Sequence, residues 1–118
     1  MLLGETGSEP VQTFLPGALL CAVNLAEAVG KLCERGMPAA EARAAIEMLG
    51  VEVIDFGADL ACLSGELRNI TRSAGLSLGD RACLALARER NLPAITADAA
   101  WTQVPGFDVQ VIRNSSKL

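Results

Sequence analysis

Apolar residues recur along this chain in two rhythms, short unbroken runs and stripes at helical spacing, and the two alternate. Ala18 to Val23 is an apolar run suited to a buried strand. Asn24 then opens a helix in which Leu25, Val29, Leu32 and Cys33 repeat at helical spacing as far as Gly36. Pro38 begins a second helix, where its missing N–H costs nothing. Ala42, Ala45, Ile46 and Leu49 form that helix's stripe, and Gly50 stops it. Val51 to Ile54 alternates as a strand. After Gly57, the residues Leu60, Leu63, Leu67, Ile70 and Ala74 mark one long helix to Gly75, with Arg68 and Arg72 on its polar face. From Ser77 to about Arg90 a helix is apolar nearly all round through Ala82 to Ala87, as a helix buried against a sheet would be. Ala94 to Thr96 and Val109 to Ile112 supply the last strands.

Strands separated by helices imply crossover connections and a mainly parallel sheet, so the predicted fold class is α/β, a three-layer α/β/α sandwich. In such folds ligands bind at the carboxyl ends of the strands. No repeat or linker divides the 118 residues, and residues 1–118 are expected to form a single domain. Gly4 to Pro10 reads as a loop and Asn114 to Leu118 as a tail. Hydrophobic residues make up 51% of the chain but aromatics only 3%, so the core must be built from Leu, Val, Ile and Ala.

A net charge of −4 argues against a broad basic surface for nucleic acid. A nucleic-acid substrate would have to be held locally, by a few arginines and by cations bridging carboxylates to phosphate, and a basic partner protein is another ligand for the acidic surface. There is no histidine, which excludes Ser-His-Asp and Cys-His catalysis. Cys21, Cys33, Cys62 and Cys83 lie far apart with no C-x-x-C spacing, so a zinc finger is not expected; they read as small buried hydrophobes in a reducing cytosol. The longest apolar run, Phe14 to Val23, contains Pro16 and Gly17 and is too short to span a bilayer, so the protein reads as soluble and cytoplasmic.

Three acids follow strand-to-helix transitions: Glu27, Asp80 and Asp98. Each has a structural explanation. Ser77-x-x-Asp80 is a capping-box pattern, Asn24-x-x-Glu27 a looser version, and Asp98 can cap the turn containing Ala99, Ala100 and Trp101. Glu27 can also pair with Lys31 one turn on. Asp55 and Asp59 read as initiators of the helix after Gly57, and Arg43 with Glu47 as an exposed i,i+4 pair. Arg81 can be solvated, paired with a neighbouring carboxylate, or in reach of a phosphate. Trp101 reads as a plug under the loop Thr102 to Phe107, with base stacking as the alternative.

The words around the acids add to this. Ala22-Val23-Asn24-Leu25-Ala26-Glu27, then Gly75 to Ala87 with its Leu76-Ser77-Leu78-Gly79-Asp80-Arg81 string, then Leu92-Pro93-Ala94-Ile95-Thr96-Ala97-Asp98-x-x-Trp101 occur in the order and at the spacing of the PIN-domain family. From about Leu3 to Arg113 the chain resembles that family, and most closely the VapC-type ribonuclease toxins of bacterial toxin–antitoxin pairs. The resemblance implies that Glu27, Asp80 and Asp98 are catalytic and hold Mg²⁺ or Mn²⁺, that the substrate is RNA, that the partner is an antitoxin protein, and that the chain can form a homodimer. Hard carboxylate oxygens suit such a cation, which activates water where no histidine is available. Thr96 and Ser77 would orient water or phosphate, or Ser77 would simply cap its helix.

One segment departs from the pattern. PIN domains open with a hydrophobic strand ending in Asp, whereas Met1-Leu2-Leu3-Gly4-Glu5 resembles the end of the first helix and its loop. On that alignment the fold is N-terminally truncated, Glu5 does not replace the missing Asp, and loss of a central strand leaves its neighbours with unpaired groups at about 1–3 kcal/mol for each one buried. Either the remaining strands close up or the true start lies upstream. Cys21 stands where Ser is common and Ala99 where a basic residue is frequent. Two functions therefore compete: a Mg²⁺-dependent endoribonuclease, the toxin of a toxin–antitoxin pair, and a catalytically silent PIN remnant that only binds an antitoxin-like partner. A generic domain whose acids are only helix caps is the third.

Overall fold

Alternate strand residues face opposite ways, and this divides the apolar residues into two cores with a sheet between them. The computed structural model describes residues 17–112 and the backbone of Leu2–Leu3. Its strands are β1 (Leu2–Leu3), β2 (Leu19–Cys21), β3 (Glu52–Ile54), β4 (Ala94–Thr96) and β5 (Val109–Val111), in the order β3-β2-β1-β4-β5 with every neighbouring pair parallel. Leu19, Cys21 and Ala94 face one core, with Leu60, Leu67, residues 82–87 and Trp101. Leu20 and Ile95 face the other, with Ala18, Leu25, Val29, Leu32, Ile46 and Leu49. Helices α1 (Ala22–Glu34) and α2 (Ala39–Glu47) cover the second face; α3 (Ala58–Glu66), α4 (Arg68–Thr71) and α5 (Leu78–Arg90) lie with the first. The fold is the three-layer α/β/α arrangement expected from the alternation of elements.

The centre of the sheet differs from expectation. Leu2 and Leu3, aligned above with the end of a helix, stand in β1 between β2 and β4, with Leu2 opposite both Leu19 and Ala94. Two neighbouring strands present unpaired backbone groups there, and an apolar dipeptide in extended form satisfies them. The sequence continues with Gly4, and no Asp precedes Asp55 in the chain.

The long helix predicted from Leu60 to Ala74 is broken. It becomes α3, the short α4 and a 3₁₀ turn, Arg72–Ala74, with Gly75 left-handed at φ 69°. The stripe has shifted too: Leu63 and Ile70 are exposed, and Ser64 and Thr71 are buried in their stead. Each hydroxyl donates to the carbonyl four residues back, Ser64 to Leu60 and Thr71 to Leu67, both at 2.8 Å. That back-bonding lets a polar residue enter the core and bends the helix. Cys21 and Cys83 are buried as expected, but Cys33 and Cys62 are exposed because they lie on the outer faces of α1 and α3. Among the described residues, no helix is long and apolar enough to cross a membrane.

The path of α5 explains how Asp80 reaches the carboxyl edge without a strand before it. The helix ends at Asn91, held left-handed at φ 55°, and β4 begins three residues later at Ala94. A crossover helix that enters β4 at its amino end runs back along the sheet, so its own first turn lies at the carboxyl edge.

Candidate functional site

The first turn of α5 meets α1 through a residue with no side chain. Gly79 is buried, and a Cβ built there would lie 2.5 Å from Oε2 and 2.6 Å from Cδ of Glu27. The carboxylate of Glu27 therefore rests on the backbone one residue before Asp80, in a cradle that only glycine leaves open. Asn24 holds the same junction. Its Nδ2 donates to the carbonyl of Gly79 at 3.0 Å and, more weakly, to Oε1 of Glu27 at 3.4 Å. Asn24 is 5% exposed, and its Oδ1 is buried without a hydrogen-bond partner. The Asn24-x-x-Glu27 pattern is thus not a capping box: α1 starts at Ala22 with Cys21 in the cap position, and the pair serves a tertiary contact.

Asp80 closes a capping box. Its backbone N–H donates to Ser77 Oγ at 3.2 Å and its Oδ2 accepts from the Ser77 N–H at 3.0 Å, which satisfies two groups at the start of α5. Ser77 accordingly acts as the cap. Arg81 is held by backbone oxygens, with no ion pair among the described residues: Nη1 donates to the Ser64 carbonyl at 3.2 Å and Nε to the Ser77 carbonyl at 3.4 Å. Asp98 follows β4 and caps the turn Ala99–Gln103, its Oδ1 accepting from the Ala100 N–H at 2.9 Å. Thr96, fully buried, accepts the Asp98 N–H at 3.0 Å, so its oxygen fixes the acid's backbone. Trp101 is fully buried in the core, as a plug, which leaves no face for base stacking.

Two thiols lie beneath this edge. Burial pushes the Cys83 thiol up, with smaller contributions from Cys21 and Asp80, and burial also raises Cys21 against the opposing pull of the N–H groups of Val23, Asn24 and Ala22 at the start of α1. Both are protonated, inert parts of the floor.

The structure thus brings Glu27 onto the turn that carries Asp80 and sets Asp98 on the turn after β4, at the same edge of the sheet. The donor set is all carboxylate oxygen, which fits a hard divalent cation, and the glycine cradle with the orphaned Asn24 oxygen beside it is a polar seat at that edge. Among the described residues, however, no three Cys, Asp or Glu side chains gather closely enough to hold a metal ion. A recess of about 530 Å³, lined by residues such as Asp55, Asp59 and Glu89, contains none of the three acids. Sequence reasoning missed Gly79 and the tertiary role of Asn24. A glycine inside a helical first turn was the available signal, because it lowers helix propensity with no local gain.

Compared with protein-family models, the chain matches the PIN domain over residues 1–106. Among solved structures, a chain of a toxin–antitoxin complex from Klebsiella pneumoniae aligns with a TM-score of 0.66 at 20% identity, over 87% of this chain and 80% of that one. A chain of VapBC2 from Rickettsia felis, bound to a DNA fragment from their promoter, aligns at 0.63 and 18% identity over 86% and 80%. DNA-bound VapBC from Salmonella typhimurium gives 0.64 and 19% over 80% and 74%. At these identities the likeness is one of fold. No curated protein sequence matches. With that family matched across nearly its whole length, the chain belongs to the PIN-domain family.

Proposed function

We propose that this chain is the toxin of a toxin–antitoxin pair, a VapC-type endoribonuclease that uses Mg²⁺ or Mn²⁺. Glu27, Asp80 and Asp98 are its catalytic, metal-holding residues. The observation that carries this reading is the cradle at Gly79: a helix start gains nothing locally from that glycine, yet it seats the Glu27 carboxylate against the turn bearing Asp80. When bound, the cation supplies Lewis acidity, polarising phosphate and lowering the pKa of water. The protein's own groups orient the acids. Asn24 fixes Glu27, the Ser77 box fixes Asp80, and Thr96 with the Ala100 N–H fixes Asp98. Asp80 and Asp98 each commit one oxygen to a backbone N–H, which leaves Oδ1 of Asp80 and Oδ2 of Asp98 for a cation.

The protein partner is an antitoxin, a reading supported by the three solved structures named above, which are a toxin–antitoxin complex and two VapBC complexes. The competing function, a silent PIN remnant that only binds such a partner, is favoured by one observation: no group of three acids stands close together among the described residues. The two separate in one experiment. Structured RNA is incubated with the purified chain in Mg²⁺, with EDTA, and with Glu27→Gln, Asp80→Asn and Asp98→Asn variants. The nuclease reading expects cleavage by the parent chain only, together with a rise in melting temperature on adding Mn²⁺, because a ligand that binds the native state stabilises it. Cleavage that survives Asp80→Asn removes Asp80 from the mechanism. Absence of both cleavage and the thermal shift, with partner binding retained, establishes the silent remnant.

A further inference from the structure

The chain carries more acids than bases, yet three of its ten basic residues line a single recess. Arg68, Arg72 and Arg81 surround a volume of about 340 Å³ together with Gly75 and Leu76. Arg68 and Arg72 stand one turn apart and are exposed, so their like charges face each other across the i,i+4 spacing. Among the described residues no carboxylate neutralises any of the three. Arg72 has only a long contact to Asn69 Oδ1 at 3.5 Å, and Arg81 is spent on the carbonyls of Ser64 and Ser77. Those two bonds anchor the Arg81 guanidinium against the protein, which places a fixed positive charge at the recess while Arg68 and Arg72 keep their donors for a ligand.

The turn that ends this helical run shapes the site. Gly75, left-handed at φ 69°, stops the run after Ala74, and Gly75 and Leu76 form part of the recess wall. The same loop leads directly into Ser77, the cap of the helix that bears Asp80, and Arg81 follows Asp80 in sequence. A polyanion lying over the three arginines therefore continues toward the carboxyl edge.

We propose that this recess holds the phosphate backbone of the RNA strand next to the cleaved bond. The inference rests on the nuclease reading for the identity of the polyanion. Arginine suits the task because its planar fork matches phosphate oxygens. A net acidic protein needs such a local grip, since the rest of its surface repels the strand.

The test measures binding of a fluorescent 12-nucleotide single-stranded RNA by anisotropy, in EDTA to prevent cleavage, across a salt series. Arg68→Gln/Arg72→Gln is compared with the parent chain and with Arg68→Lys/Arg72→Lys, all three checked for equal melting temperature. Two lost phosphate contacts on a single strand lower the slope of log K against log salt by about 1.4, and affinity at moderate salt falls by at least about tenfold. The lysine pair keeps the slope. Parent-like affinity and slope in the glutamine pair would overturn the proposal, and so would a glutamine pair that loses only binding to a Glu-rich partner peptide. Cleavage is read separately. Arginine-dependent binding without any Mg²⁺-dependent cleavage supports the recess and removes the nuclease. Cleavage with an unchanged KM in the glutamine pair removes the recess and leaves the nuclease.

Discussion

Glu27 and Asp98 end at the same edge of the sheet by opposite routes. Asp98 is placed by its own neighbourhood: the Thr96 hydroxyl takes its N–H and its carboxylate takes that of Ala100, all within five residues. Glu27 is placed by a partner far along the chain, since Asn24 reaches the Gly79 carbonyl across 55 positions and Gly79 makes room for the carboxylate. A locally capped acid keeps its place as long as its turn survives. An acid seated by tertiary contact is set by a residue that never appears in its own motif, and it can be lost while both helices persist.

Gly79→Ala should break that contrast most sharply. The methyl group claims the space of Glu27 Cδ and Oε2, and the exposed end of the Glu27 side chain can swing toward solvent. Alanine meanwhile improves the helix by up to about 1 kcal/mol. The expected outcome is an unchanged or raised melting temperature with divalent-cation affinity, read as the Mn²⁺-induced thermal shift, down by about 10–100-fold, the usual effect of losing an orienting contact. A parent-like Mn²⁺ response would separate Glu27 from the cation site. The Asp98 turn offers no counterpart to this substitution, because the hydrogen bonds that hold its acid come from residues two positions away.

Asn24→Ala acts on the same junction through stability. It removes the side-chain donor to the Gly79 carbonyl, a bond worth about 0.5–1.5 kcal/mol, although it also removes the orphaned Oδ1. Urea unfolding should show a lower midpoint at unchanged m. A midpoint equal to the parent's would mean that water serves the carbonyl equally well. At the other turn the effect divides by substitution. Asp98→Ala loses a cap worth about 1 kcal/mol, whereas Asp98→Asn keeps an acceptor for the Ala100 N–H and should unfold within a few tenths of the parent. Both should lose the cation. Equal destabilisation by the two would show that the charge, and not the cap, holds the turn.

This division also decides what could be read from the sequence. The capping box at Ser77 and Asp80, the cap at Asp98 and the Arg43–Glu47 pair at 3.0 Å depend on residues within a few positions, and each was legible; the burial of Trp101 was legible from its size and apolarity alone. The layered sheet followed from the alternation of runs and stripes, because strand period and helix period are local signals too. The shifted stripe of α3 and α4 was not legible: Ser64 and Thr71 look like surface residues until their hydroxyls are seen donating back along the helix. Leu2–Leu3 resembled the end of a helix through the family alignment of Met1 to Glu5, two leucines carry no period of their own to correct it, and only the place between β2 and β4 calls for a strand. Asn24 looked like a cap for the same reason that Glu27 looked like one; the contact that gives them another role lies 55 residues away.

Alkaline pH tests the Glu27 junction most gently. Cys21 precedes α1 and Cys83 lies one turn beyond Gly79, so the two buried thiols adjoin the helix starts that meet at this junction. Burial raises both above the ordinary 9.0 of a thiol in the folded chain. Above that value the unfolded chain releases these protons while the folded chain keeps them. The unfolded state then binds fewer protons, and stability falls as pH rises, with a limiting slope of about 1.4 kcal/mol per pH unit for Cys83, whose shift is large, and a further contribution of the same sign from Cys21. Below pH 9 neither state ionises and these groups contribute no slope. The chain has no tyrosine and only two lysines, so few other groups compete in this range. Urea midpoints should therefore hold level to about pH 8.5 and decline toward pH 10.5, and Cys83→Ala should flatten the decline even if its cavity lowers the whole curve. A parent midpoint that stays level to pH 10.5 would show that the junction opens readily enough to hydrate its thiols, and the tertiary seat of Glu27 would then be looser than its packing indicates.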